Sequence, residues 1–174
     1  MKKELKFYNL LFPMWLIWIF PPFIIICGVG NLIIDAAVIL IAAKCLKIDC
    51  SFKKHKSCIF KAWGLGFVAD FIGVGFLMIV SHCLYSLGTS FESLRYLNDY
   101  VRWNVDYNPF ANIYALLITV LSIAIAGFCI YLFNKRISFK NADIDEHHKK
   151  IISLTMAIVT SPYLFLIPGE WFFK

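Results

Sequence analysis

Apolar residues run along this chain in long unbroken segments, and polar ones gather in short clusters between them. Three segments have the length that a membrane-spanning helix needs, about 20 largely apolar residues: 62–87, 110–133 and 150–167. The last carries Ser161-Pro162. Proline removes a backbone donor and crowds the preceding turn, so a kink or frayed end is expected there. A fourth apolar run, 7–46, is too long for one crossing, because a single helix would rise about 60 Å, twice a hydrocarbon core. It must break, and two break signals compete: Pro21-Pro22 and Gly28-Val29-Gly30-Asn31.

The basic residues choose between them, because Lys and Arg near short loops prefer the cytoplasmic side. A turn at Gly28–Gly30 gives helices at 7–27 and 31–46 and five crossings in all. Three basic groups then share one face: Lys2, Lys3 and Lys6; Lys44, Lys47, Lys53, Lys54, Lys56 and Lys61; and Lys135, Arg136, Lys140, Lys149 and Lys150. Together they hold 14 of the 17 basic residues, leaving Arg95, Arg102 and Lys174 outside. The alternative is four crossings with a re-entrant or interfacial N-terminal segment. In the five-crossing arrangement Asn31 is a structural helix cap, its side-chain oxygen accepting from an orphan backbone N–H. Asp35 then lies one turn inside, where a negative charge suits the helix dipole.

Composition supports this class. Hydrophobic residues make up 60% of the 174 and charged ones 16%, against about 45–50% and 25% for soluble domains. The start MKKELKFYNLLFPMWLIW has the shape of a secretory signal, but the apolar run continues past Trp15, Trp18 and Pro21-Pro22 without an A-x-A-like cleavage site. It reads as a retained membrane segment. The expected fold is an all-α polytopic helical bundle forming one membrane domain. It is placed in the cell membrane with its N-terminus cytoplasmic and its C-terminus outside.

The segment GTSFESLRYLNDYVRWNVDYNP has a pattern of its own. Thr89 and Glu92 fit a capping box, and Phe91, Leu94, Leu97 or Asn98, and Val101 fall on one helical stripe. Glu92/Arg95, Arg95/Asp99 and Asp99/Arg102 are spaced for pairing. With Tyr96, Tyr100, Trp103 and Tyr107 this predicts a short amphipathic helix on the outer membrane face. Asp143 and Glu146 fit another capping box ahead of the last helix.

Candidate chemistry sits within the apolar segments. An ionisable group inside a membrane helix costs at least about 2.5–3.5 kcal/mol on insertion scales. Asp70 is the foremost candidate, with Gly66, Gly73 and Ser81 near its face, and Ala69-xxx-Gly73 allowing a close helix approach. Asp35 and His82 lie at similar depths, and a carboxylate beside an imidazole could relay protons. Helix-to-helix glue is the plainer role for all three. Cys45, Cys50, His55 and Cys58 bear zinc-ligand side chains. They lack a C-x-x-C pair and are crowded by Lys53, Lys54 and Lys56, so no metal site and no cofactor is expected. Those lysines suit anionic lipid headgroups. No disulfide framework is expected from the six cysteines, although Cys27 and Cys83 share the outer side.

There is no H-E-x-x-H, G-x-S-x-G, P-loop or C-x-x-C motif. The favoured reading is an accessory or structural subunit that packs against partner membrane subunits. The alternatives are a small transporter or channel, proton-coupled through Asp70, and an intramembrane lipid-modifying enzyme. The partners expected are the bilayer, anionic headgroups and other membrane subunits; no nucleic acid is among them.

Overall fold

A computed structural model describes residues 21–48 and 52–168. Among them the chain is helical throughout, without strands. The long helices are α1 (Pro21–Cys45), α2 (Phe52–Ser90), α4 (Ile113–Phe133) and α5 (Glu146–Val159), with a short α3 (Trp103–Tyr107) between α2 and α4. Four stretches are long and apolar enough to cross a membrane: Gly28–Cys45, Lys56–Ser90, Ile113–Ser138 and Glu146–Leu166.

The first helix corrects the expected topology. Residues 21–45 form one uninterrupted helix, so no turn occurs at Gly28–Gly30 and the helices expected at 7–27 and 31–46 are not separate there. Asn31 is therefore not an N-cap; it lies mid-helix with an exposed side chain. The physical reason is that Pro21 and Pro22 occupy a first turn, where the missing N–H has no partner to lose. The glycines, by contrast, keep their backbone hydrogen bonds, and a helix in lipid has no other way to satisfy them. Residues 7–20 of the expected first helix lie outside the described residues.

The second helix begins earlier than its apolar segment suggests, at Phe52 and not near 62. Lys53, Lys54, Lys56 and Lys61 are thus on helix, and the linker after α1 is short. At 39 residues α2 rises about 58 Å, so it overruns a hydrocarbon core of about 30 Å. Where α1 ends, Lys47 adopts a left-handed conformation (φ 56). Ile48 N–H donates to Ala43 O at 2.9 Å and Lys47 N–H to Lys44 O at 3.1 Å, the paired bonds of a Schellman stop.

The other ends follow local chemistry. Asn112 caps α4, its Oδ1 accepting from Tyr114 N at 2.9 Å and Ala115 N at 3.3 Å. The helix stops at Val159, just ahead of Ser161-Pro162, as proline requires, and a 3-10 turn follows at Tyr163–Leu166. Asp145, not Asp143, occupies the N-cap position of α5; its carboxylate pairs with His148 Nδ1, while Glu146 bonds Lys149 Nζ at 3.0 Å.

Burial along α4 is the reverse of a soluble helix. Its buried stripe is small or polar, with Ala115, Thr119, Ser122, Ala126 and Ile130, while Leu117, Leu121 and Phe128 stand exposed. Small residues inward and large apolar ones outward suit a helix that packs closely on neighbours and meets lipid elsewhere.

The chain divides into two compact units, one of Pro22–Gly73 with Ile123–Tyr163, the other centred on Val74–Ser122. The first has an apolar core that includes Ile39, Ile59, Ile130, Phe139, Ile152 and Met156. Trp63 Nε1 donates to Gly28 O at 2.9 Å, tying α2 to α1. Gly127 of α4 lies so close to α5 that a Cβ there would meet Ser161 Oγ at 2.6 Å. In the second unit Val101, Val105, Pro109 and Ala115 are buried.

Because a side chain in the left-handed region costs about 1 kcal/mol that glycine avoids, Lys47→Gly is expected to stabilise the fold by about 0.5–1 kcal/mol. Thermal unfolding in detergent reads this as a rise in midpoint.

Candidate functional site

The buried face of α1 is Asp35, Ile39, Ala42 and Ala43, the spacing of one helical stripe. A continuous α1 therefore turns Asp35 inward among apolar neighbours, and only 6% of it remains exposed. On α2 a small face receives it. A Cβ placed on Gly66 would lie 3.8 Å from Asp35 Oδ2, so the carboxylate rests directly on that glycine. Asp70 follows one turn later on α2, flanked by Ala69, which is fully buried, and by buried Gly73. Its Oδ1 is buried without a hydrogen-bond partner. Asp35 thus lies against Gly66, one helical turn from Asp70, within a single unit.

His82 is exposed and belongs to the second unit, while Asp35 lies against Gly66 within the first. Asp70 also lies farther along its helix than expected, 18 residues or about 27 Å from Phe52, because α2 starts early.

A second polar cluster holds the connection between α2 and α4, where a short helical stretch forms over 92–107 as expected but turns a different face inward. Residues 92–107 make a 3-10 turn (Glu92–Leu94), a wide π turn (Leu97–Arg102) and α3 in succession. Thr89 caps nothing; its hydroxyl donates back to Tyr85 O at 2.9 Å inside the last turn of α2. Phe91 and Leu94 are exposed, and the inward face is Val101 and Val105 instead. Arg95 does pair with Asp99, at 3.2 Å, but Arg102 turns to Asp106 at 3.6 Å and not to Asp99. Ser81 of α2 donates its hydroxyl to Asp106 (3.1 Å to Oδ1, 3.3 Å to Oδ2). Arg102 also donates to Asn98 Oδ1 at 2.9 Å and lies over the Tyr85 ring at 5.4 Å. Burial pushes the Asp106 carboxyl up to about 6, against the opposing pull of the Arg102 guanidinium and the Ser81 hydroxyl. Asp106 is absent from the sequence-predicted site residues, and its spacing from Arg102, i to i+4, is the signal that marks it.

Among the described residues no group of three His, Cys, Asp or Glu side chains could hold a metal ion. Cys45, Cys58, Cys83 and Cys129 are free thiols, so Cys83 forms no bridge; Cys50 lies outside the described residues. Three further buried atoms, Asn134 Oδ1, Ser138 Oγ and Ser153 Oγ, lack hydrogen-bond partners in the first unit. No family model, curated protein or solved structure matches this chain.

The fit of Asp35 on Gly66 can be probed by size. Gly66→Ala adds a methyl at ordinary contact distance and is expected to leave stability within about 0.5 kcal/mol. Gly66→Leu overfills the recess and is expected to cost about 1–3 kcal/mol. Unfolding midpoints of the two variants in the same detergent make the comparison.

Proposed function

We propose that this is a small multi-pass membrane protein that moves protons through the Asp35–Asp70 pair, as a transporter or channel. The observation that carries the reading is the juxtaposition itself: Asp35 buried on Gly66, one turn from an Asp70 oxygen without a hydrogen-bond partner. Ionisable side chains in membrane helices are rare and face bundle interiors or pathways. Two negative charges close together in apolar surroundings repel strongly, and a proton held between them relieves that repulsion. An acid pair of this kind can take up and release a proton as its surroundings change.

The membrane orientation belongs to the same proposal. The lysine-bearing ends of α1 and α2 and the 134–145 turn face the cytoplasm together, and the C-terminus lies outside, following the positive-inside bias. Four crossings fit the described helices.

A second reading has an observation of its own. Gly64 and Gly75 on α2 have open space where a side chain would be, on a face shared with exposed Val68, Phe71 and Ile79. Such a surface lets another membrane helix approach closely, as an accessory subunit would need.

Asp70→Asn keeps the shape of the side chain and removes its proton chemistry. In proteoliposomes with a pH-sensitive dye inside and an imposed potassium diffusion potential, proton flux through Asp70→Asn is expected to fall at least tenfold, with helicity unchanged. Equal flux in the wild type and the variant would refute the Asp70 role. No wild-type flux, together with a stoichiometric partner co-purified from native membranes, would favour the subunit reading.

A further inference from the structure

The connection between α2 and α4 is built as a separable strap. Extended residues bound it: Phe91 (φ −127, ψ 114) at one end, Asn108 (φ −150, ψ 91) and Asn112 (φ −145, ψ 129) at the other. Between them residues 92–107 run as one helical stretch that passes from 3-10 through π to α geometry. An isolated helix of that length is marginal in water, so the strap depends on what it rests against.

It rests on the last turns of α2 at three points. Asn98 packs on Gly88 so closely that a Cβ there would stand 2.5 Å from Asn98 Cβ. Arg102 lies over the Tyr85 ring. Asp106 accepts both contacts from Ser81, whose side chain is buried on α2 nine residues before the helix ends. The strap thus folds back along about 13 Å of α2, and its innermost clip is a carboxylate.

We propose that the 91–112 strap is a pH-responsive cover, clipped to α2 through Asp106 and Ser81, that closes in acid and loosens as the pH rises. The direction follows from what each state does to the carboxylate. Docked, Asp106 is 10% exposed with one serine hydroxyl and a guanidinium 3.6 Å away, a weak replacement for water around a full negative charge. Undocked, it regains water. The docked state therefore binds the proton more tightly, in keeping with its carboxyl being pushed up to about 6 from the ordinary 3.8. A raised acid stabilises docking fully below the undocked value, and that contribution is lost as the pH climbs through about 6.

The neighbouring charges do not reverse this sign. Among the described residues Arg102 is the cation paired with Asp106, and on α2 the groups facing the clip are Ser81 and the Tyr85 ring under Arg102. Arg95 and Asp99 pair with each other on the exposed side of the strap. His82, next to Ser81, is exposed, and the variant below isolates the contribution of Asp106. The device is independent of proton transport by Asp35 and Asp70, which lie in the other unit.

Hydrogen exchange of strap amides, read on the full chain in nanodiscs and corrected for intrinsic rates, tests the proposal. From about pH 8 to about pH 4, protection over 97–107 is expected to rise by up to about a hundredfold, the ratio set by the two carboxyl values. In Asp106→Asn, which carries no charge but keeps an acceptor for Ser81, protection should be high and flat across that range. Flat wild-type protection, a fall in acid, or the same pH dependence in Asp106→Asn would overturn it.

Discussion

A peptide backbone in hydrocarbon has to satisfy its hydrogen bonds within its own helix, and in the proposed membrane placement much of this molecule follows from that constraint. The helix α1 runs unbroken through Gly28, Gly30 and Asn31, residues that in water would mark a turn. Continuity fixes the rotation of every later side chain. It sets Asp35 on the same stripe as Ile39 and Ala42, buried and not at a solvated helix start. From there the carboxylate lies against Gly66, one turn from Asp70. An outcome of backbone hydrogen bonding thus becomes the placement of Asp35 beside the helix that carries Asp70.

The two polar clusters contrast in how their carboxylates are held. Asp106 has a guanidinium and a hydroxyl nearby. Around Asp70, Gly66, Ala69 and Gly73 bring no polar side chain, and its Oδ1 has no hydrogen-bond partner. The available donors make that difference, not residue type or burial.

Segment-scale features were legible from the chain, and rotational ones were not. Long apolar runs marked α2 and α4, and Pro162 marked the end of α5, because hydropathy and proline sterics act locally. The break in the first run was misjudged, since glycine weakens a helix in water while proline at a first turn costs nothing. Lys53, Lys54 and Lys56 read as loop because charge leaves the membrane, yet a helix continues past the membrane without difficulty. Asp35 and Asp70 were both singled out, but the placement of Asp35 beside the helix that carries Asp70 depended on α1 being continuous. The Asp106–Ser81 contact spans 25 residues, and nothing in local spacing encodes it.

Coupling between Asp35 and Asp70 is the central claim, and infrared difference spectroscopy of the carboxyl band reads it most directly. The pH at which the Asp70 band changes should be measured in the wild-type protein and in Asp35→Asn, in the same nanodiscs. The expected result is a clear displacement of the Asp70 transition when Asp35 loses its charge. An Asp70 transition at the same pH in both proteins would contradict it.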